Sequence, residues 1–140
     1  MFEIDHLMIE VSDPLKVANN VAGKLGLPFA WPLMEKDEYI SIGVNFGSIN
    51  VEFISFRVRF GLKHKRYNGF SGIAFKVADS LDGAVGILDS AKLSYRIGEQ
   101  CDAYTTIPIE EYQVFPTIFL VKYNFDTTGW FRGQVHTVAA

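Results

Sequence analysis

Val11-Ser12-Asp13-Pro14-Leu15 closes an apolar run and opens a helical one, and 66 positions later Val77-Ala78-Asp79-Ser80-Leu81 does the same. Ser12 or Asp13 can cap a helix, and Pro14 suits a first turn, where its missing N–H leaves no hydrogen bond unmade. Behind them Leu15, Val17, Ala18, Val21, Ala22 and Leu25 recur at helical spacing. Gly26 stands where a C-terminal glycine is expected, and Pro28 blocks continuation. In the second stretch Leu81, Ala84, Val85, Ile87, Leu88 and Ala91 trace the same stripe, predicting a helix over 81–93.

Working outward, each helix follows a strand-like run, 4–11 and 70–77. After the first helix, strands are expected at 29–33, 38–45 and 49–56, the last two joined by the hairpin-type turn Asn45-Phe46-Gly47-Ser48. After the second, they are expected at 95–98, 105–109 and 116–123. The shift of 66 lays Ala18 on Ala84 and Leu27 on Leu93 and, with no gap, Phe53 on Phe119 and Ile54 on Leu120. A repeat at fixed spacing is read as a duplicated unit. Each βαβββ half is too small and one-sided to bury its own sheet, but two packed together can enclose an apolar hollow. The expected architecture is α+β: one domain over 1–140, with module one at 1–60, a linker at 61–68 and module two at 69–140.

A formal net charge of −3 offers no field of one sign for nucleic acid or an anionic membrane. The one dense basic run, Lys63-His64-Lys65-Arg66, reads as a solvated connection. No apolar stretch reaches the ~18 residues that span a bilayer. The opening Phe2-Glu3-Ile4-Asp5 is unlike a secretory signal, and a cytoplasmic setting is the default expectation. Cys101 is the only cysteine, which excludes an internal disulfide and a cysteine-based metal cage. No glycine-rich phosphate loop, Gly-x-Ser-x-Gly elbow or His-Glu-x-x-His pattern is found.

A tandem βαβββ chain that opens with Ile4-Asp5-His6-Leu7 and closes its first copy with Val51-Glu52-Phe53-Ile54 resembles the vicinal oxygen chelate superfamily. That group includes glyoxalase I, extradiol dioxygenases, methylmalonyl-CoA epimerase, and fosfomycin and bleomycin resistance proteins. Asp5-His6 through Val11-Ser12-Asp13, then Lys24-Leu25-Gly26-Leu27-Pro28 and Asn50-Val51-Glu52, carry the likeness over nearly the whole chain. The resemblance implies a glyoxalase-like, cup-shaped mixed sheet, a homodimer as a common assembly, and a metal held by one ligand from the first and one from the last strand of each copy. His6 and Glu52 match those positions in copy one. Gly72 and Ile118 occupy them in copy two, and neither can bind a cation through its side chain. The metal site is therefore expected to be incomplete.

Strand alternation places His6, Met8 and Glu10 on one face. Glu10 could add a third ligand to His6 and Glu52, although its place near the strand mouth makes exposure the expectation. Without metal, His6 and Glu52 could serve as a catalytic acid–base pair. The expected lining of the cup is Met8, Glu10, Trp31, Ile54, Phe56, Ile118, Leu120 and Trp130. His136 could reach over the cup from a terminal strand, and Glu110-Glu111-Tyr112 reads as a solvated turn. Three readings stand together. One is a bleomycin-resistance-like protein binding a small aromatic or amphipathic molecule without a cofactor. Another is a lyase, isomerase or dioxygenase using a divalent metal at His6 and Glu52. The third is a non-catalytic association domain.

Overall fold

The computed structural model describes residues 2–57, 68–110 and 117–127. Its elements run β1 (Phe2–Glu10), α1 (Pro14–Leu25), β2 (Phe29–Glu35), β3 (Tyr39–Asn45), β4 (Asn50–Phe56), β5 (Gly69–Val77), α2 (Leu81–Ser90), β6 (Tyr104–Ile109) and β7 (Thr117–Tyr123). One mixed sheet holds all seven strands in the order β2-β3-β4-β1-β5-β7-β6. The first strand of each module pairs in parallel with the last, β1 with β4 and β5 with β7. The modules join where β1 runs antiparallel to β5.

The caps act as the sequence requires. The Asp13 side chain accepts from the Lys16 N–H, Pro14 occupies the first turn, and Gly26 closes α1 in the left-handed conformation at φ 65°. Ser80 caps α2 by accepting from the Gly83 N–H. The helix stops at Ser90, short of residue 93, and Lys92 turns to a positive φ of 58°. Small residues bring α1 close to its sheet. Ala18 and Ala22 are buried against Ile42, Val44, Val51 and Phe53. Beneath α2, Ala84 and Leu88 pack on Val77, Ile107 and Leu120. Full burial of a Val, Leu, Ile or Phe side chain in these clusters stabilises by roughly 1.5–3 kcal/mol.

Segment 95–98, expected as a strand, forms only a bridge between Tyr95 and Ile109. Proline is the reason. The Arg96 N–H donates to the Pro108 carbonyl at 3.2 Å, but Pro108 has no N–H to return the bond, so the segment follows β6 through single bonds, such as Gly98 N–H to the Thr106 carbonyl at 2.9 Å, rather than a regular ladder.

The sheet also curls. Flat, the five strand steps between β3 and β6 would hold them about 24 Å apart. Yet Tyr39 at the start of β3 hydrogen-bonds Glu99, just before β6, at 2.8 Å. The two ends of the sheet meet, and the concave face becomes a cup.

Two irregularities shape its floor. Register slips between Ile4 and His6 on β1, so Asp5 is an extra residue, and Asp5 and His6 turn to the same side. A second slip, between Met8 and Ile9, leaves Ser71 as the extra residue on β5. Asp5 and Ser71 are 66 positions apart, so the duplication repeats the bulge as well as the strand. The register changes further on. His6 faces Asn50 on β4, whereas Gly72 faces Thr117 on β7. The last strands are therefore related by a shift of 67, one residue more than the ungapped comparison assumed. Met8 lies opposite Glu52 and Ala74 opposite Phe119. Phe119, and not Ile118, takes the place of Glu52 in the second module.

Candidate functional site

The concave face encloses a cavity of about 460 Å³, within the usual range for small-molecule sites. Its walls carry Trp31 from β2, Ile54 and Phe56 from β4, and Phe119, Val121 and Tyr123 from β7. Strand alternation explains the sets: 52, 54 and 56 share one face, as do 119, 121 and 123. His6 and Met8 of β1 complete the floor beside Glu52. Trp31 depends on a glycine. A Cβ on Gly43, which pairs with it across β2 and β3, would lie within 2.6 Å of three indole carbons.

A chain of hydrogen bonds crosses the floor. The Tyr123 hydroxyl donates to Asp5 Oδ2 at 2.7 Å, and the same oxygen accepts from His6 Nδ1 at 2.6 Å. His6 Nε2 donates to Glu52 Oε1 at 3.1 Å. Glu52 Oε2 accepts from the Ser41 hydroxyl, whose oxygen accepts from Trp31 Nε1 at 3.2 Å. The His6 ring meets Trp31 and Phe119 edge-on, at centroid distances of 5.4 and 5.6 Å. Asp5, His6 and Glu52 are all buried.

Electrostatics fixes the protonation. Burial by itself disfavours the imidazolium, but hydrogen bonds to Asp5 and Glu52 and the charges of both outweigh it, raising the His6 pKa from 6.5 to about 10. His6 is thus a cation at neutral pH, both N–H groups directed at carboxylates. Burial, the Asp5 charge and the Asp5 hydrogen bond push the Tyr123 hydroxyl well above its ordinary value, so it stays a donor.

At the mouth a second cluster ties the modules together. Lys36 pairs with Glu99 and donates to the Tyr104 hydroxyl at 3.1 Å. Tyr39 and Tyr104 donate to Glu99 Oε1 at 2.8 and 2.5 Å. Burial opposes ionisation of Glu99, but these donors prevail and lower its pKa. Lys36 and Tyr39 belong to module one and Glu99 and Tyr104 to module two, so the cluster is a clasp across the cup.

A divalent ion, the cofactor implied by the resemblance, finds a poor fit. His6 Nε2 and Glu52 Oε1 could share a cation, but the matching positions in module two carry Gly72 and Phe119, which supply no side-chain ligand. Among the described residues no group of three His, Cys, Asp or Glu could hold a metal ion. Two ligands fall short of the three that catalytic sites usually fix.

Of the residues singled out in the sequence, His6, Met8, Trp31, Glu52, Ile54 and Phe56 stand round one cavity. Glu10 departs from both expectations. It is buried rather than exposed, and it is not among the residues lining the cup. Ile118 and Leu120 are also corrected. The extra residue in module two turns that side of β7 away from the cup, and Leu120 packs under α2. Trp130, His64, His136, Glu111 and Tyr112 lie outside the described residues. Asp5, Ser41, Tyr123, Phe119 and the clasp were missed. The adjacent polar pair Asp5-His6 was a visible signal, which simple alternation sent to opposite faces.

No family model matches the sequence, and no curated protein does. Solved structures do match in fold. Methylmalonyl-CoA epimerase from Mycobacterium tuberculosis superimposes with a TM-score of 0.69 at 16% identity, covering 87% of this chain and 88% of that one. A variant of Streptomyces coelicolor methylmalonyl-CoA epimerase in complex with 2-nitronate-propionyl-CoA gives 0.70 at 12%, covering 87% and 97%. A mutant of 4-hydroxymandelate synthase from Streptomyces coelicolor gives 0.60 at 14%, covering 89% of this chain and 50% of that enzyme. At these identities the likeness is one of fold. The chain has the glyoxalase-like fold of these structures, a curled mixed sheet of seven strands with two helices among the described residues.

Proposed function

We propose that this protein binds a small amphipathic molecule in the cup between its modules, its apolar body against the aromatic and aliphatic walls and one polar group on the floor. The observation that carries this reading is a 460 Å³ cavity whose floor holds an ordered polar cluster, Asp5–His6–Glu52, set among Trp31, Ile54, Phe119 and Val121. An association domain has no need of such a hollow. The enzyme reading has weaker support. An imidazole held protonated by two carboxylates is a poor base near neutral pH, where a general base needs a pKa close to 7. The metal-dependent form lacks ligands in module two.

The test is a thermal-shift screen of small aromatic and amphipathic compounds, repeated on Ile54→Phe. That change pushes a ring into the cavity. Hits that raise the melting temperature of the native chain and lose the effect in the variant support a cup-bound ligand. Hits unaffected by the variant, or no hits, would count against it.

A further inference from the structure

The proposed ligand site can be narrowed by counting donors and acceptors on its floor, an inference that rests on that reading. Every side-chain donor of the cluster around His6 and Glu52 is committed. Both His6 N–H groups go to carboxylates, the Tyr123 hydroxyl to Asp5, the Ser41 hydroxyl to Glu52 and the Trp31 N–H to Ser41. Acceptors remain in surplus. A carboxylate offers about four lone-pair sites, and Glu52, which borders the cavity, uses one on each oxygen. Behind His6, Asp5 is fully buried and its Oδ1 has no hydrogen-bond partner among the described residues.

Charge points the same way. One imidazolium faces two carboxylates that only accept, leaving one negative charge in excess on a buried floor. The mouth does not reverse this, since Lys36 and Arg96 are outnumbered by Asp37, Glu38 and Glu99. The edge of an aromatic ring is positive and its face negative, so the aromatic walls favour a cation over an anion wherever a face is presented.

We infer that the polar group reaching the cup floor is an organic ammonium, held by Glu52 and seated among the aromatic walls. A carboxylate or a pair of neighbouring ketone oxygens would meet acceptors with no donor to spare, at the price of leaving both buried and unsatisfied. The cup therefore selects amphipathic amines.

Calorimetric titration with phenylethylamine, phenylethanol and phenylpropionate isolates the head group on a near-constant body. The amine is expected to bind at least about tenfold tighter than the acid, with the alcohol between. In Glu52→Gln that preference should shrink to within about threefold, and Asp5→Asn, which removes charge but not the Glu52 contact, should reduce it by less. Each variant is first melted to confirm cooperative unfolding, so that loss of fold is not mistaken for loss of preference. Equal affinities for the three, or an acid that binds best, overturn the ammonium assignment and leave the cup as a ligand site. Failure of all three to bind overturns both.

Discussion

Replacing His6 by Leu removes the only positive charge from a cluster in which Asp5 is fully buried and Glu52 is 6% exposed. Leucine is close to histidine in size, so the expected loss is electrostatic. Two charge-assisted hydrogen bonds vanish, at 2.6 and 3.1 Å, and two carboxylates are left in a low-dielectric pocket facing no cation. Breaking a buried pair by removing one partner costs about 3–5 kcal/mol. Domains of this size are stable by about 5–15 kcal/mol, so the variant should lose about a fifth or more of its stability. Urea unfolding at pH 7, followed by circular dichroism, measures this. The triple variant Asp5→Asn, His6→Leu, Glu52→Gln carries the control, because it removes the stranded charges together with the cation. It should recover more than half the loss and remains measurable if the single variant does not fold. A single-variant loss below about 1 kcal/mol, or a triple variant no better than the single, would refute the assignment of a buried, ionised cluster.

The same cluster fixes a pH dependence. Because the His6 pKa is raised from 6.5 to about 10 on folding, its contribution is complete below about pH 6.5 and lost as pH climbs through 10. The unfolding free energy from urea melts should fall across that window at up to about 1.4 kcal/mol per pH unit, and the triple variant should show a shallower fall. Gly43→Ala should displace the Trp31 indole, costing about 1–3 kcal/mol and weakening any cup ligand, as tryptophan fluorescence and calorimetry would report. Lys36→Met removes the clasp's ion pair, which is about a third exposed, so the stability change should stay below about 1 kcal/mol. Ligand exchange through the mouth should nevertheless quicken in stopped-flow fluorescence. Zinc, nickel and manganese should leave the melting temperature unchanged, since a two-ligand site gives no more than weak, labile binding.

The order of elements was legible because strand, cap and helix obey local rules. Asp13-Pro14 opens a helix and Gly26 ends one wherever they are packed, and a repeated Val-x-Asp-x-Leu shows the duplication. His6 and Glu52 were singled out by the resemblance, which implies one ligand on the first strand and one on the last. What failed depended on register. A single extra residue in module two moved Phe119 into the place given to Ile118, and a bulge put Asp5 beside His6 where alternation set them apart. Neither slip leaves a mark in composition, because each is settled by pairing with a strand distant in sequence. Glu10 failed through burial, which a position near a strand end does not reveal. The clasp of Lys36, Tyr39, Glu99 and Tyr104 was beyond reach because it exists only once the sheet curls and its two ends meet.

The cup floor as a closed imidazolium between two carboxylates is the centre of this account, and ring-nitrogen NMR of His6 tests it most directly. With the chain labelled at histidine nitrogens and His6 assigned through its substitution, both ring nitrogens should carry protons at pH 7 and titrate together near pH 10. Split shifts of a neutral ring at pH 7, with a midpoint at or below 6.5, would contradict it.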